Sequence, residues 1–459
     1  MSIANAYFYL AAHTNSGDYM MNSLWESGIT MPEFPTLSND LKTDVLIVGG
    51  GMAGLLCAYM LEQEGMDYIL IEADRICSGV TKNTTAKLTS QHGLIYHKLL
   101  QKHGKTIARK YWEANEAAIR EYEKLAGMID CDFQKTDNSI YSRVTPQVLR
   151  EEIAALGRLG IPARFAKNLP LPFPVKGAVC FGNQAQFHPM KFAAGVARNL
   201  RIYEGTTARE FAGTCVKTDC GSITASKIII ATHFPIINKH GAYFLKLYQK
   251  RSYVMALKNT GNLGGMYLDA ANNGLSFRNW GDLLLLGGGG HRTGKQGGGW
   301  AELEKYRQRY FPDSYEVCRW ATQDCMSLDG IPYIGRYSKY TPDLFVATGF
   351  NKWGMTSAMV AAMLLRDLVQ GRKNPYTQVF DPNRSVLRKQ LFCNGAESAM
   401  NLLTPTTPRC PHMGCALKWN RQEHSWDCPC HGSRFDEDGQ LLDSPATGNL
   451  HTPPKHRDA

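Results

Sequence analysis

The sequence predicts an α/β chain built on a Rossmann-like dinucleotide-binding unit, with a second sheet inserted into it and a small separate unit at the C-terminus. Three observations carry this. Residues 44–72 read as strand, glycine turn, helix and strand. Two further runs, Lys227 to Thr232 and Leu344 to Thr348, have the continuous hydrophobicity of strands buried on both faces, and the glycine-rich stretch between them reads as another sheet. Near the end, two boxes each place Cys and His at close spacing.

The first element sets the chemistry. Asp44 to Val48 reads as a buried parallel strand, and Gly49-Gly50-Gly51-Met52-Ala53-Gly54 follows with G-x-G-x-x-G spacing. Gly49 serves the tight turn, Gly51 lets backbone approach a pyrophosphate, and Gly54 permits close helix packing. Met52 and Ala53 open the helix, whose free N–H groups and dipole favour phosphate. Leu55 to Glu64 continues it and Gly65 stops it. Tyr68 to Ile71 is the second strand, delivering Glu72, 23 residues after Gly49, to take ribose hydroxyls. An acid there suits FAD or NAD rather than NADP. A glycine-rich surface loop would share the glycines, but not the strand, helix, strand and acid in register.

The chain of 459 residues has room for two or three domains, and 44% hydrophobic with 20% charged content is that of a soluble globular protein. No uninterrupted apolar run reaches the roughly 18 residues of a membrane span, so no transmembrane segment is expected. The first basic residue is Lys42, which leaves no positive n-region for secretion, and a cytoplasmic location is expected. A net charge of +10 raises nucleic acid as a partner, yet no Lys/Arg block stands out. A positive surface for an anionic cofactor or substrate explains it better, and no nucleic-acid partner is expected. Residues 405–459 hold 6 basic and 7 acidic side chains, so the excess lies in the larger unit. Nine of the 13 cysteines are scattered singly and read as buried or inert thiols.

Residues 1–40 show no periodic element and read as an N-terminal extension; the patch Tyr7 to Ala12 is too short to span a membrane, and a start at Met20 or Met21 is equally compatible. After Glu72, Ala73 leads into a loop whose Thr81, Thr84 and Thr85 hydroxyls can hold more of the cofactor, although alone they would read as a Ser/Thr-rich turn. Ile107, Tyr111, Ala114, Ala118, Tyr122 and Leu125 fall on one face of a helix over 105–126. Another helix is expected over Gln147 to Leu159, and His188 precedes a third as a packed or capping residue. Tyr253 to Lys258 and Asp282 to Gly287 read as strands of the second sheet, and Asp329-Gly330-Ile331-Pro332 as a turn. After Leu344 to Thr348 comes a second glycine turn, Gly349 to Gly354, then an uncharged helix from Met355 and Thr356 to Val369. Its N-terminal dipole can stabilise negative charge at the N1–C2=O edge of a reduced flavin.

On these marks, with Thr84-Thr85-Ala86-Lys87 and Ala231-Thr232 added, residues 40–375 resemble the D-amino-acid oxidase/glycine oxidase superfamily of FAD-dependent oxidoreductases. The resemblance implies a glutathione-reductase-type fold over 41–373, with extended FAD whose flavin lies beneath an antiparallel substrate sheet. It implies FAD contacts at Gly49, Gly51, Met52, Ala53, Gly54, Glu72, Ala73, Thr81, Thr84, Thr85, Ala86, Lys87, Gly349, Gly354, Met355 and Thr356.

The C-terminal boxes are Cys410-Pro411-His412-Met413-Gly414-Cys415 and Cys428-Pro429-Cys430-His431-Gly432-Ser433. One Cys and one His on each loop fit tetrahedral zinc or a Rieske 2Fe-2S centre, in which two Cys hold one iron and two His the other. Zinc leaves unexplained the second Cys of each box and the Gly432-Ser433 that follows. The boxes resemble those of Rieske proteins in respiratory and photosynthetic cytochrome complexes. That match implies Cys410 and Cys428 on one iron, His412 and His431 on the other, and a disulfide between Cys415 and Cys430. Phe435 stands where high-potential members have a Tyr that hydrogen-bonds a ligand sulfur, which leaves Ser433 as donor. Residues 374–404 read as a linker, and the all-β Rieske unit, 405–459, is expected with a truncated base.

A flavin converts two-electron to one-electron chemistry and a Rieske centre carries single electrons. The expected function is oxidation of a small amine or amino-acid-like substrate by hydride transfer to FAD, with electrons passing singly through the cluster to an external acceptor. The alternatives are an oxygen-using oxidase with a structural or regulatory Rieske segment, a reductase fed by NADH, which lacks a second glycine fingerprint, and a redox sensor. The sequence forces no catalytic base. Arg251, Arg278 and Arg292 are candidate carboxylate clamps, and Tyr253 or His291 could orient an amine, though each fits a packing role as well.

Overall fold

The computed structural model describes residues 23–385, 387–405 and 408–450; Tyr7 to Ala12 and the starts at Met20 and Met21 lie outside them. Four parallel strands form the heart of the first sheet, in the order Thr341–Thr348, Gly221–Ile230, Leu41–Val48, Tyr68–Ile71. Their registers set Val346, Ile230, Val48 and Ile71 side by side, so the carboxyl ends open together. In open α/β sheets that edge is where ligands bind.

Helix Met52–Gln63 buries most of its length and packs on helix Gly354–Val369. Both are apolar nearly all round because the sheet covers one side and the neighbouring helices the other. Each fully buried Leu, such as Leu55 and Leu61, contributes about 1.5–3 kcal/mol. Gly54 has no room for a side chain, since a Cβ would stand 1.9 Å from the Gly49 carbonyl oxygen.

The helix expected over 105–126 begins earlier, at Tyr96, and kinks at Gly104, whose φ of 80° breaks the regular path. Helix Gln147–Leu159 ends at left-handed Gly160. His188 caps helix Pro189–Ala197 through its ring nitrogen.

The second sheet has nine strands, in which Leu247–Lys258 lies between Tyr315–Ser327 and Leu283–Arg292. It is antiparallel except where Met266–Asp269 pairs parallel with Gln134–Ser142.

Residues 374–404, expected as a linker, include helix Lys389–Leu403. Beyond it, Lys418–Asn420, Ser425–Asp427, Arg434–Phe435 and Leu441–Asp443 form a small antiparallel sheet. Its strands are two or three residues long. Cys410, Cys415, Cys428 and Cys430 are buried together with Leu417 and Phe435 beside it.

Candidate active site and cluster site

The carboxyl edge of the first sheet and the underside of the second enclose a cavity of about 870 Å³. Its lining includes Gly49, Gly51, Met52, Ala53, Glu72 and Ala73, then Thr81, Thr84, Thr85 and Lys87, and also Trp353, Gly354 and Met355. Gly49, at φ 109°, passes so close to Ala231 that a Cβ would meet its carbonyl oxygen at 2.8 Å. At Gly51 a Cβ would meet only the Thr81 hydroxyl, at 3.5 Å. The protein itself therefore leaves the space above Gly51 open, as an extended dinucleotide requires.

Glu72 accepts hydrogen bonds from the Gly50 N–H at 2.6 Å and the Asp74 N–H at 3.1 Å. Burial raises its pKa against those donors. Thr81 Oγ1 accepts the Met52 N–H at 3.1 Å, tying the loop after Glu72 to the helix start.

Four residues with implied FAD contacts stand away from the cavity lining. Gly54 is the helix-packing glycine. The Ala86 carbonyl accepts from Arg278 at 2.8 Å. Gly349 turns at φ 68° against Leu247 and Ser327. Thr356 Oγ1 lies 3.0 Å from His92 Nε2, and the His92 ring in turn stacks on Trp353. His92 is buried, which pushes its pKa down to about 3; no motif marks it in the sequence.

Lys87 Nζ donates to Thr85 Oγ1 and Ser276 Oγ, both at 3.1 Å. Among the described residues no carboxylate pairs with it, and burial, aided by the Arg278 charge, pushes its pKa down to about 7. Arg278 is fully buried, donates to the Thr85 and Ala86 carbonyls and lies over the Trp25 ring. It props the 84–87 loop from behind the cavity wall.

The other candidate clamps belong to the boundary between the two units. Arg251 donates through Nε to Glu423 at 2.9 Å, and Tyr253 donates to the same carboxylate at 2.9 Å while touching His291 Nε2. Arg434 completes the cluster with bonds to Glu423, Asp427 and Asp443. Burial opposes ionisation of Glu423, but Arg251 and Arg434 prevail and hold its pKa at about 2. Arg292 donates to the Pro429 and Cys430 carbonyls. Gly294 lies so close beneath that a Cβ would sit 2.7 Å from the Pro429 nitrogen. These residues dock the C-terminal unit.

The docked unit presents its histidines to the flavin unit. The His412 and His431 rings lie 4.9 Å apart, nearly perpendicular. Phe234 is edge-on to both, at 6.3 and 6.2 Å, and Gln323 donates to the Gly432 carbonyl at 2.8 Å. Just before Phe234, Ala231, Thr232 and His233 line the cofactor cavity. One short segment thus touches both sites.

Both His431 nitrogens and His412 Nδ1 are buried without a hydrogen-bond partner among the described residues. Buried polar atoms are rarely left so; His412 Nε2 meets Asn238 Oδ1 at 3.0 Å, and the three unpaired ring nitrogens beside converging thiols fit a metal cluster. The ligand atoms of Cys415, Cys428 and His431 lie within 4.8 Å of one another, and Cys410 reaches Cys428. The disulfide implied between Cys415 and Cys430 is not formed: all thirteen cysteines are free thiols, with these two in contact. The Ser433 hydroxyl accepts the Ala446 N–H at 2.9 Å and reaches the Cys410 sulfur.

Fold and sites together define an FAD-dependent oxidoreductase that carries a Rieske 2Fe-2S domain. The chain belongs to the family described as FAD dependent oxidoreductase (DAO), which matches residues 44–368, and a Rieske [2Fe-2S] domain matches residues 364–454. The Bacillus subtilis (strain 168) protein YhfW, described as a Rieske 2Fe-2S iron-sulfur protein, is 34% identical over 92% of this chain and 95% of its own. Gamma-glutamylputrescine oxidoreductase of Escherichia coli (strain K12) is 26% identical over 43% of this chain and 50% of its own. Among solved structures, glycine oxidase from Geobacillus kaustophilus shares the fold with a TM-score of 0.64 at 19% identity, over 75% of this chain and all of that one. Among the described residues no helix is long and apolar enough to cross a membrane.

Proposed function

We propose that the protein oxidises a small amine or amino-acid-like substrate at a C–N bond and passes the electrons singly through its Rieske domain to an external acceptor. FAD supplies hydride acceptance and the cluster single-electron carriage. The observation that carries the reading is the docking: His412 and His431 abut Phe234 at the end of the segment that walls the flavin cavity. The C–N specificity is supported by the amine-acting relative and the glycine oxidase fold.

In this reading Gly51, Met52 and Ala53 hold the pyrophosphate and Glu72 the ribose. The N-terminus of helix Gly354–Val369 faces the cavity through Gly354 and Met355, placing its dipole where negative charge develops. Lys87 Nζ is poised near neutrality to hold or release a proton inside the cavity. Cys410, Cys428, His412 and His431 hold the cluster, and the Arg251–Glu423 pair keeps it against the flavin unit.

The test is anaerobic mixing of the purified protein with a panel of primary and secondary amines and amino acids. One of them is expected to bleach the flavin and then produce the spectrum of a reduced Rieske cluster. Flavin bleaching with an oxidised cluster, followed by rapid reoxidation in air, would establish the oxygen-using oxidase instead.

A further inference from the structure

Helix Lys389–Leu403 is inside out. Its buried stripe is polar: Asn394, Glu397 and Asn401 face the protein. Asn394 accepts from Arg292 and donates to the Leu245 carbonyl, Glu397 pairs with Lys295 at 2.7 Å, and the Asn401 carbonyl accepts the Ala416 N–H. The helix thereby bridges the flavin unit and the cluster loop. Its opposite stripe is apolar and in solvent: Phe392 is 66% exposed, Met400 58% and Leu403 82%. Their spacing, with Ala396 and Ala399 between, is that of one helical face. A rimmed apolar face of this kind marks an interaction site rather than ordinary surface.

Two features say what fits it. The face runs to the cluster loop: Leu402 lies beneath Gly414, and Arg409 donates to the Leu402, Thr404 and Gly414 carbonyls. Met413, next to His412, is itself 37% exposed. The chain around it is basic: over residues 387–420 Lys389, Arg409 and Lys418 are exposed and Arg388 is half-buried, against the single acid Glu397, which Lys295 already pairs. Arg388 and Lys389 stand at the helix N-terminus, with no side-chain cap and no acid in the first turn. Positive charge there opposes the helix dipole, and such a broken local rule points to function.

Resting on the reading that electrons leave through the cluster, we infer that this face docks a small acidic one-electron carrier protein. Its apolar contact patch would cover Phe392, Met400 and Leu403, and its acids would meet Lys389 and the other exposed basic groups. One electron then leaves the reduced cluster near His412 and reduces the carrier by one. A helix of 15 residues is about 22 Å long, a footprint suited to the small, transient interfaces of redox partners.

The test uses the full holoprotein, reduced with dithionite and freed of excess. Reoxidation is followed in stopped flow with oxidised rubredoxin as the acidic carrier, cytochrome c as the basic one, and ferricyanide as a small oxidant. The rubredoxin rate is expected to fall steeply between about 20 and about 300 mM salt, and the cytochrome c rate to rise, because only opposite charges steer association. Phe392→Ser with Met400→Gln should slow rubredoxin about tenfold and leave ferricyanide oxidation and cluster content unchanged. An unchanged rubredoxin rate overturns the inference. So does a wild-type dimer that the double variant dissociates, which gives the face to a second copy. Faster reaction after deletion of residues 1–22 gives it to the chain's own N-terminus and overturns it as well. Because dithionite reduces the cluster directly, a flavin that never reduces the cluster would defeat the underlying reading without altering these rates.

Discussion

Phe234 stands edge-on to His431 with ring centroids 6.2 Å apart, while Ala231, three residues earlier, walls the cofactor cavity. The parallel strand Gly221–Ile230 thus ends in a segment whose start meets the flavin site and whose end meets the cluster site. The docking clamp, the unpaired nitrogens of His412 and His431 and the open space above Gly51 take their meaning from that placement.

Gly51→Val should give folded protein without FAD. The glycine faces open space rather than protein, so the two methyls would displace pyrophosphate oxygens while leaving the core intact. Absorbance of the purified variant checks it, and a normal flavin spectrum would contradict it. Gly54→Ala should instead fail to fold, because its Cβ meets backbone at 1.9 Å.

Lys87 predicts a pH dependence. Burial, then the Arg278 charge, depress its pKa to about 7, so it is charged below that pH and neutral above. If the neutral amine takes the substrate proton, flavin reduction should rise with pH through about 7. Lys87→Met should remove that limb and slow reduction by about 10²–10⁴-fold. A limb that persists in the variant assigns the titration to another group.

Ser433→Ala should lower the cluster potential. The hydroxyl reaches the Cys410 sulfur, whose negative charge grows on reduction, and Phe435 offers no second hydroxyl. A charge-assisted bond worth about 1.5–3 kcal/mol corresponds to about 60–130 mV for one electron. A redox titration followed by EPR measures it; an unchanged or raised potential with the cluster intact would contradict the role.

Glu423→Gln should undock the C-terminal unit. Removing one partner of a buried pair costs about 3–5 kcal/mol, here by leaving Arg251 and Arg434 short of a carboxylate. The loss should appear as a lower melting temperature and faster proteolysis within 374–409. With Glu423 held at about 2, well below an unfolded carboxyl, its stabilising contribution is complete at neutral pH and is lost only as pH falls toward 2. Docking in the wild type should therefore persist through pH 4.

The dinucleotide site was legible because its parts are local: Gly49, Gly51, Gly54 and Glu72 follow one another through strand, turn and helix. The cluster loops were legible for the same reason. The contacts between the two units were not. Arg251 and Glu423 are 172 residues apart, and nothing in either neighbourhood names the other, so the sequence offered Arg251, Arg292, Tyr253 and His291 as either substrate or packing groups without showing the partners that Arg251, Arg292 and Tyr253 meet in the C-terminal unit. Helix Lys389–Leu403 was hidden by its reversed polarity, since an apolar stripe signals a core face only when it points inward. Gly349 and Thr356 stand off the cavity lining, the one in a turn against Leu247 and Ser327 and the other against His92, detail that the glycine-turn pattern does not carry.

The most direct test of electron passage from flavin to cluster needs no substrate. Light-driven reduction of the flavin with a deazaflavin donor, anaerobically and on a millisecond timescale, separates the two centres by their spectra. Flavin reduction should be followed by its reoxidation in step with appearance of the reduced-cluster EPR signal, more slowly in Phe234→Leu and not at all in cluster-free His431→Ala. A flavin that stays reduced in the wild type while the cluster stays oxidised would contradict it.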